Sequence, residues 1–344
     1  MYTVWRSKLP ALLLIVALFL IGLMFLAGSQ PSIAPASQTP AATLFTPAVS
    51  TPTTATLALT LAPSATQTLA PSLTPSQTPS PTPESPVVFA VIGDYGTGNS
   101  SEEQVADLVK SWQPDFIITT GDNNYPSGSA KTIDATIGQF YHAYISPYKG
   151  SFGDGADQNR FFPTLGNHDW HTDGARPYLK YFTLPGNERY YDFTWGPLHF
   201  FAVDADSNEP DGVGRSSRQA EWLQARLKVA AEPWKIVYFH QPPYSSGLHG
   251  PVNWMQWPFK DWGVSAVLSG HDHDYERLIL DGLVYFVNGL GGGNIYPFDN
   301  RMDGSKMRFN DDYGAMRVEA TSNKIQFQFI TQSGDVIDTY TIER

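Results

Sequence analysis

Val87-Val88-Phe89-Ala90-Val91-Ile92-Gly93-Asp94 is an apolar run of strand length that stops on a glycine and an acid. A strand apolar at every position, rather than at alternate ones, is buried on both faces, as in a sheet covered by helices. The same event recurs along the chain. Residues 116–120 end on Gly121-Asp122, residues 161–165 on Gly166-Asn167-His168-Asp169, residues 234–239 on His240, and residues 264–269 on Gly270-His271. Five strands end, and each time a residue able to bind a metal follows at once. In open α/β sheets, ligand sites gather at the C-terminal ends of strands, so these five loops are expected to converge.

The stretches between them fit that reading. Residues 102–112 are apolar at 105, 108, 109 and 112, which is helical spacing, and 217–231 form an amphipathic helix. Residues 132–144 read as a further helix. Residues 198–203 read as a strand followed by Asp204, and 282–288 as another strand. Near the end, 324–331 and 336–342 flank Ser333-Gly334 as a β-hairpin. The class is α/β.

Outside residues 87–344 the material changes. Residues 11–27 are an apolar run preceded by Arg6 and Lys8, with no acid before Glu84. Residues 1–28 therefore read as a signal anchor or a cleaved signal peptide, and both put the rest of the chain on the extracytoplasmic side. The membrane is the expected partner of this segment. Residues 29–86 are almost entirely Pro, Ser, Thr and Ala, too poor in apolar surface to offset their ordering entropy. They read as a disordered stalk. The formal net charge of −11 argues against tracking nucleic acid, which calls for clustered Lys and Arg. There are no cysteines, which excludes disulfides, thiolate metal sites and a lipid-modified cysteine anchor.

The metal ligands must then come from oxygen and imidazole donors. The candidates are Asp94, Asp122, Tyr125, Asn167, His240, His271 and His273, with His168 beside them. Singly, each has an ordinary alternative: a Gly-Asp pair is often a turn, and an Asn or His at that position can cap a helix. Together they supply a carboxylate able to bridge, further oxygen donors and imidazoles, the inventory of a dinuclear site. His142 and His199 read as structural. His171 is close enough in sequence to His168 to line an entrance. Gly289-Leu290-Gly291-Gly292-Gly293 lacks the Lys-Ser/Thr of a phosphate-binding P-loop and reads as a tight turn near the site.

The motif order resembles the calcineurin-like metallophosphoesterase superfamily, and within it the purple acid phosphatase branch. The narrowing features are Tyr125, three residues after Asp122, and the His271–Arg277 segment. The resemblance implies a four-layer α/β/β/α sandwich of two mixed sheets. It implies a ferric ion held by Asp94, Tyr125 and His273, and a divalent iron, zinc or manganese ion held by Asn167, His240 and His271. Asp122 would bridge the two ions, and His168 would contact the phosphate or protonate the leaving oxygen. His249 resembles a substrate-facing histidine of the plant enzymes. The implied substrate is a phosphate ester, most simply a monoester. Two alternatives stand beside it: a phosphodiesterase or nucleotidase running on two divalent ions, and a displayed binding module whose site is inactive. The fibronectin-like domain of the large plant enzymes has no counterpart in these residues, so the resemblance is to the compact form.

Overall fold

The computed structural model describes residues 85–344; the apolar run at 11–27 and the stalk up to residue 84 lie outside the described residues. Among the described residues, no helix is long and apolar enough to cross a membrane.

Strand β1 (Val87–Ile92) lies inside a six-stranded sheet of order β13-β12-β11-β1-β2-β3. Helix α1 (Ser100–Ser111) follows it, then β2 (Phe116–Thr119) and β3 (Phe161–Pro163). These three strands are parallel. Phe89 is in register with Phe116 and Ile92 with Thr119, so the Asp94 and Asp122 turns leave the same edge. Between β2 and β3 the chain is helical but not one helix. A π-turn (Asp134–Gly138), the single turn α2 (Gln139–Tyr141) and a 3₁₀ turn (His142–Tyr144) succeed one another. A run of 13 α-helical residues is not formed there.

The short helices α3 (Asn167–Trp170) and α4 (Arg176–Tyr181) lead into β4 (Tyr191–Trp195) and β5 (Leu198–Ala202). Helix α5 (Arg218–Val229) connects β5 to β6 (Trp234–Tyr238), followed by β7 (Ala266–Ser269), β8 (Tyr275–Leu280), β9 (Leu283–Asn288) and β10 (Ser305–Phe309). They form a seven-stranded sheet of order β10-β8-β9-β7-β6-β5-β4, whose β5, β6, β7 and β9 are parallel. Strands β11 (Gly314–Ala320), β12 (Lys324–Thr331) and β13 (Val336–Glu343) return to the first sheet as an antiparallel meander. Both sheets are mixed.

Side chains alternate across the second sheet, and that alternation makes the layers. Phe200, Ala202, Ile236 and Tyr238 face the first sheet and join one core with Phe89, Phe116 and Ile118. Phe201, Val203, Val237 and Phe239 face the other way, against Ala220, Leu223 and Leu227 of α5. Phe89 stacks on Phe116 within its own sheet and meets Phe200 edge-on across the gap, both at 5.1 Å. Burying side chains of this size contributes about 1.5–3 kcal/mol each. Helix α1 packs against β11 on the outside of the first sheet. It starts at Asn99, whose side chain accepts from the amides of Ser101 and Glu102, and carries Glu102 and Glu103 in its first turn and Lys110 in its last. The result is a four-layer α/β/β/α sandwich of two mixed sheets, as the resemblance implies.

Candidate metal centre

The parallel strands of both sheets deliver their C-terminal loops to one place. Asp94, Asp122 and His271 each take a left-handed backbone, with φ of 54°, 51° and 70°. That conformation is uncommon for residues with a side chain, and here it is held by cross-loop hydrogen bonds. The amide of Asp94 donates to the Gly121 carbonyl at 3.1 Å. The amide of His271 donates to Asp94 Oδ2 at 2.9 Å, and that of His168 to Asp122 Oδ1 at 2.9 Å. Each aspartate thus has one oxygen tied to a neighbouring loop and the other turned inward.

The free oxygens face the imidazoles. Asp94 Oδ1 lies 3.4 Å from His273 Nε2 and 3.3 Å from the Tyr125 hydroxyl, which is itself 3.0 Å from His273 Nε2. Asp122 Oδ2 lies 3.4 Å from His240 Nε2. That nitrogen is also 3.0 Å from Asn167 Oδ1 and 3.2 Å from His271 Nδ1. The seven candidates therefore fall into two trios, Asp94–Tyr125–His273 and Asn167–His240–His271, with Asp122 between them.

Two of the rings are oriented from behind. His240 Nδ1 donates to the Thr120 carbonyl at 2.8 Å, and His273 Nδ1 to the Asn294 carbonyl. A carbonyl on Nδ1 fixes the neutral ring with its Nε2 lone pair toward the cluster, the usual arrangement behind a metal-binding histidine. Gly121 makes room for this: with φ of 91°, a Cβ there would sit 2.8 Å from the His240 ring.

The charges call for a cation. Ligand atoms of Asp94, Asp122 and His240, all three residues buried, lie within 4.8 Å of one another. Burial alone would lower the basicity of His240, but Asp122 and Asp94 outweigh it and push the ring up to about 10. Burial would likewise raise Asp122, yet His240 and His168 hold its carboxyl well below the usual carboxylate range. Burial also pushes the Tyr125 hydroxyl upward, and Asp122 and Asp94 add to it, so ionising it requires a strong positive charge close by. Among the described residues, every ion-pair partner of Asp94 and Asp122 is a histidine. Convergent lone pairs on oxygen and imidazole donors, buried and without Lys or Arg, fit one or more bound metal ions of the iron, manganese or zinc kind.

The remaining sequence candidates sit around this cluster. His168 is half-buried, its ring 4.5 Å from that of Tyr125, with Nδ1 on the Pro126 carbonyl at 2.6 Å and Nε2 3.9 Å from Asp122 Oδ2. His171 is exposed, its ring 4.9 Å from His168. Asp169 points inward and accepts from the amides of Gly166 and Asn123 and from the Asn123 side chain, tying the third loop to the second. His249 packs its ring 4.4 Å from that of His271. His142 bonds the Gly138 carbonyl within its own helical stretch, and His199 lies between two carboxylates on β4 and beyond α5; neither reaches the cluster.

Sequence reasoning missed Tyr296 and Asn294. Tyr296 stacks flat on His273 at 4.2 Å, and with Thr97, Tyr125, His168, His273, Gly293 and Asn294 it lines a cleft of about 250 Å³. The signal was the glycine run before them. A Cβ at Gly293 would lie 2.7 Å from the His273 ring, so the run is closely packed backing for a ligand as well as a turn. A larger surface hollow of about 520 Å³, between α5 and Trp262, gathers none of the candidates.

Residues 85–275 match the family model for calcineurin-like phosphoesterases. The chain is 24% identical over 304 residues to purple acid phosphatase 17 of Arabidopsis thaliana, covering 76% of this chain and 86% of that protein. It is 24% identical over 298 residues to tartrate-resistant acid phosphatase type 5 of Rattus norvegicus, covering 73% and 89%. Among solved structures, purple acid phosphatase PPD1 of yellow lupin, Lupinus luteus, superposes with a TM-score of 0.61 at 18% identity, over 77% of this chain and 55% of that one. GAP50, the anchor in the inner membrane complex of Plasmodium, superposes with a TM-score of 0.59 at 22% identity, over 76% and 89%.

Proposed function

The chain belongs to the calcineurin-like phosphoesterase family and is a phosphate-ester hydrolase, and from that premise we propose that it is a phosphomonoesterase with a dinuclear Fe(III)–M(II) centre. The observation that carries the reading is the Tyr125 hydroxyl, 3.0 Å from His273 Nε2 and 3.3 Å from Asp94 Oδ1. A phenol is a poor ligand for magnesium or calcium and a good one for ferric iron, whose charge displaces its proton. The relatives named purple acid phosphatase support the same assignment.

In this reading Asp94, Tyr125 and His273 would hold a ferric ion and Asn167, His240 and His271 a divalent iron, zinc or manganese ion, with Asp122, which lies between the two trios, available to both. When bound, the ions supply charge neutralisation for the phosphate and Lewis acidity at the reacting centre. The chain does the rest. His168 is fixed by its amide on Asp122 and its Nδ1 on Pro126, so Nε2 is the nitrogen free to meet a phosphate or leaving-group oxygen. Asp169 holds the loop that places it. Tyr296 and Thr97 wall the cleft through which an ester reaches the metals. We place the domain outside the cytoplasm, on the Arg6 and Lys8 flank and the apolar run at 11–27.

The test is metal analysis with a visible spectrum of the protein prepared without chelators, alongside a panel of mono- and diesters. Two metals, one of them iron, with a charge-transfer band and monoester turnover are expected. Two divalent metals, no colour under oxidising conditions and preferential diester turnover would replace the monoesterase with a divalent phosphodiesterase. Bound metals with no ester turnover would favour a binding module.

A further inference from the structure

Asp272 lies between His271 and His273 in sequence, yet its carboxylate bonds neither trio. It is fully buried, and both oxygens are committed to the loop that carries His249. Oδ2 accepts from the Ser245 hydroxyl at 2.5 Å. Oδ1 accepts from the His249 amide at 2.7 Å and faces His249 Nδ1 at 3.2 Å. The Ser245 oxygen in turn accepts from the Gly247 amide at 2.9 Å. Gly247 is seated so closely that a Cβ would lie 2.4 Å from Asp272 Cγ and 2.5 Å from Asp274 Oδ2. One carboxylate therefore closes the turn 245–249 and joins it to the loop bearing His271 and His273.

The turn presents a single group. The His249 side chain is 41% exposed. Its ring lies 4.4 Å from that of His271 and 5.4 Å from that of Tyr296, at the mouth of the cluster. With Nδ1 committed to Asp272, Nε2 is the nitrogen left for a substrate. An exposed histidine at the end of a turn would, without such a partner, sample several rotamers. A buried carboxylate behind Nδ1 selects one tautomer and one orientation, as carboxylates do behind catalytic and metal-binding histidines.

We propose that Asp272 is a positioning residue for ester binding and turnover. It acts through His249, holding that ring beside His271 with Nε2 toward the phosphate group of the substrate. The inference rests on the phosphatase reading above and adds a residue to it.

A double-mutant cycle tests it. Asp272→Asn, His249→Ala and the double variant are compared with wild type for metal content by mass spectrometry, for inorganic phosphate affinity by calorimetry, and for kcat and KM on an aryl phosphate. Each single variant is expected to keep its metals and to lose roughly tenfold to a hundredfold in kcat/KM. Phosphate affinity should fall in both, and the double variant should be no worse than the poorer single one, because the two residues act as a unit. Losses that multiply in the double variant, or metal lost on Asp272→Asn alone, would overturn the proposal and assign Asp272 to the metal loop. If Asp272→Asn does not fold, Ser245→Ala frees only Oδ2. Its loss should vanish in the His249→Ala background, and a loss of the same size there overturns the proposal. Inactive wild type with bound metals would sink the phosphatase reading, whereas the phosphate-binding cycle would still decide the coupling of Asp272 to His249.

Discussion

The second sheet carries a histidine–carboxylate cluster at each end of its parallel strands, and the two are built to opposite ends. At the starts of β5 and β6, His199 Nε2 bonds Asp192 at 2.7 Å and Nδ1 bonds Glu232 at 2.8 Å, while Arg226 reaches Asp192 at 2.7 Å. Two acids meet two bases, and both ring nitrogens are donors to carboxylates. At the other end, Asp94 and Asp122 pair with the imidazoles of His168, His240 and His273 and, among the described residues, with no Lys or Arg. Ring and carboxylate lone pairs face one another there. The first cluster is closed: its charges are satisfied by the chain. The second is open, and its deficit is what a metal centre fills. Histidines beside acids therefore indicate function only when the chain leaves their charges unbalanced.

The widest break in the comparison is Asp122→Ala. It removes the carboxylate between the trios, and among the described residues no other carboxylate takes that place. Metal content measured by mass spectrometry is expected to collapse, and ester turnover to fall by roughly a thousandfold or more. An active, metal-replete variant would show that Asp122 bridges nothing. Tyr125→Phe takes away one oxygen donor and leaves the ring packed on His168. If the Asp94 trio holds ferric iron as proposed, the visible band expected of it should be absent in this variant while the thermal melt stays close to wild type, since both hydroxyl partners belong to the open cluster. A band that survives would remove iron from the Asp94 trio.

Much of the open cluster was legible before any coordinates, and for a physical reason. Strands buried on both faces leave unbroken apolar runs, so their ends stand out, and the residues just past those ends are the ones the fold brings together. The closed cluster was legible only in part. His199 sits inside such a run and so reads as structural, but its partners lie seven and thirty-three residues away on elements of ordinary composition. The same limit hid β4, β8, β10 and β11. Arg317 and Glu319 interrupt β11, Lys306 and Arg308 lie in the edge strand β10, and β8 begins directly behind the His273 loop. Tyr296 was hidden because its role depends on stacking on His273, and stacking across twenty-three residues has no local signature.

The closed cluster makes a prediction of its own about pH. Burial alone would lower the basicity of His199, but its bonds to Asp192 and Glu232 outweigh that and raise it. A histidine raised in the folded state stabilises the fold fully below its unfolded value, near 6.5, and that contribution is lost as pH rises through the folded value. His199→Gln is therefore expected to destabilise the protein by about 2 kcal/mol at pH 5.5, with the deficit shrinking at alkaline pH. Metal content and turnover should stay at wild-type level. Denaturant melts across pH measure it, and a deficit independent of pH would mean that the ring contributes packing alone, including its stack on Phe201 at 4.3 Å.

Arg226→Gln is the smallest and sharpest test. The arginine is 46% exposed, so water screens its attraction to Asp192, and its removal should cost only about half a kcal/mol. Its second effect has a definite sign. Arg226 neutralises part of Asp192, the same carboxylate that holds His199 Nε2. Without the guanidinium, Asp192 binds the imidazolium more tightly, so the His199 proton should be released at higher pH than in wild type. The pH at which stability begins to fall would move up with it. The shift of the His199 ring protons against pH reads this directly. An upward move shows that the closed cluster balances its charge through Asp192. No move would mean that Glu232 holds the ring by itself, and the cluster would then be a simple ion pair rather than the counterpart of the open site.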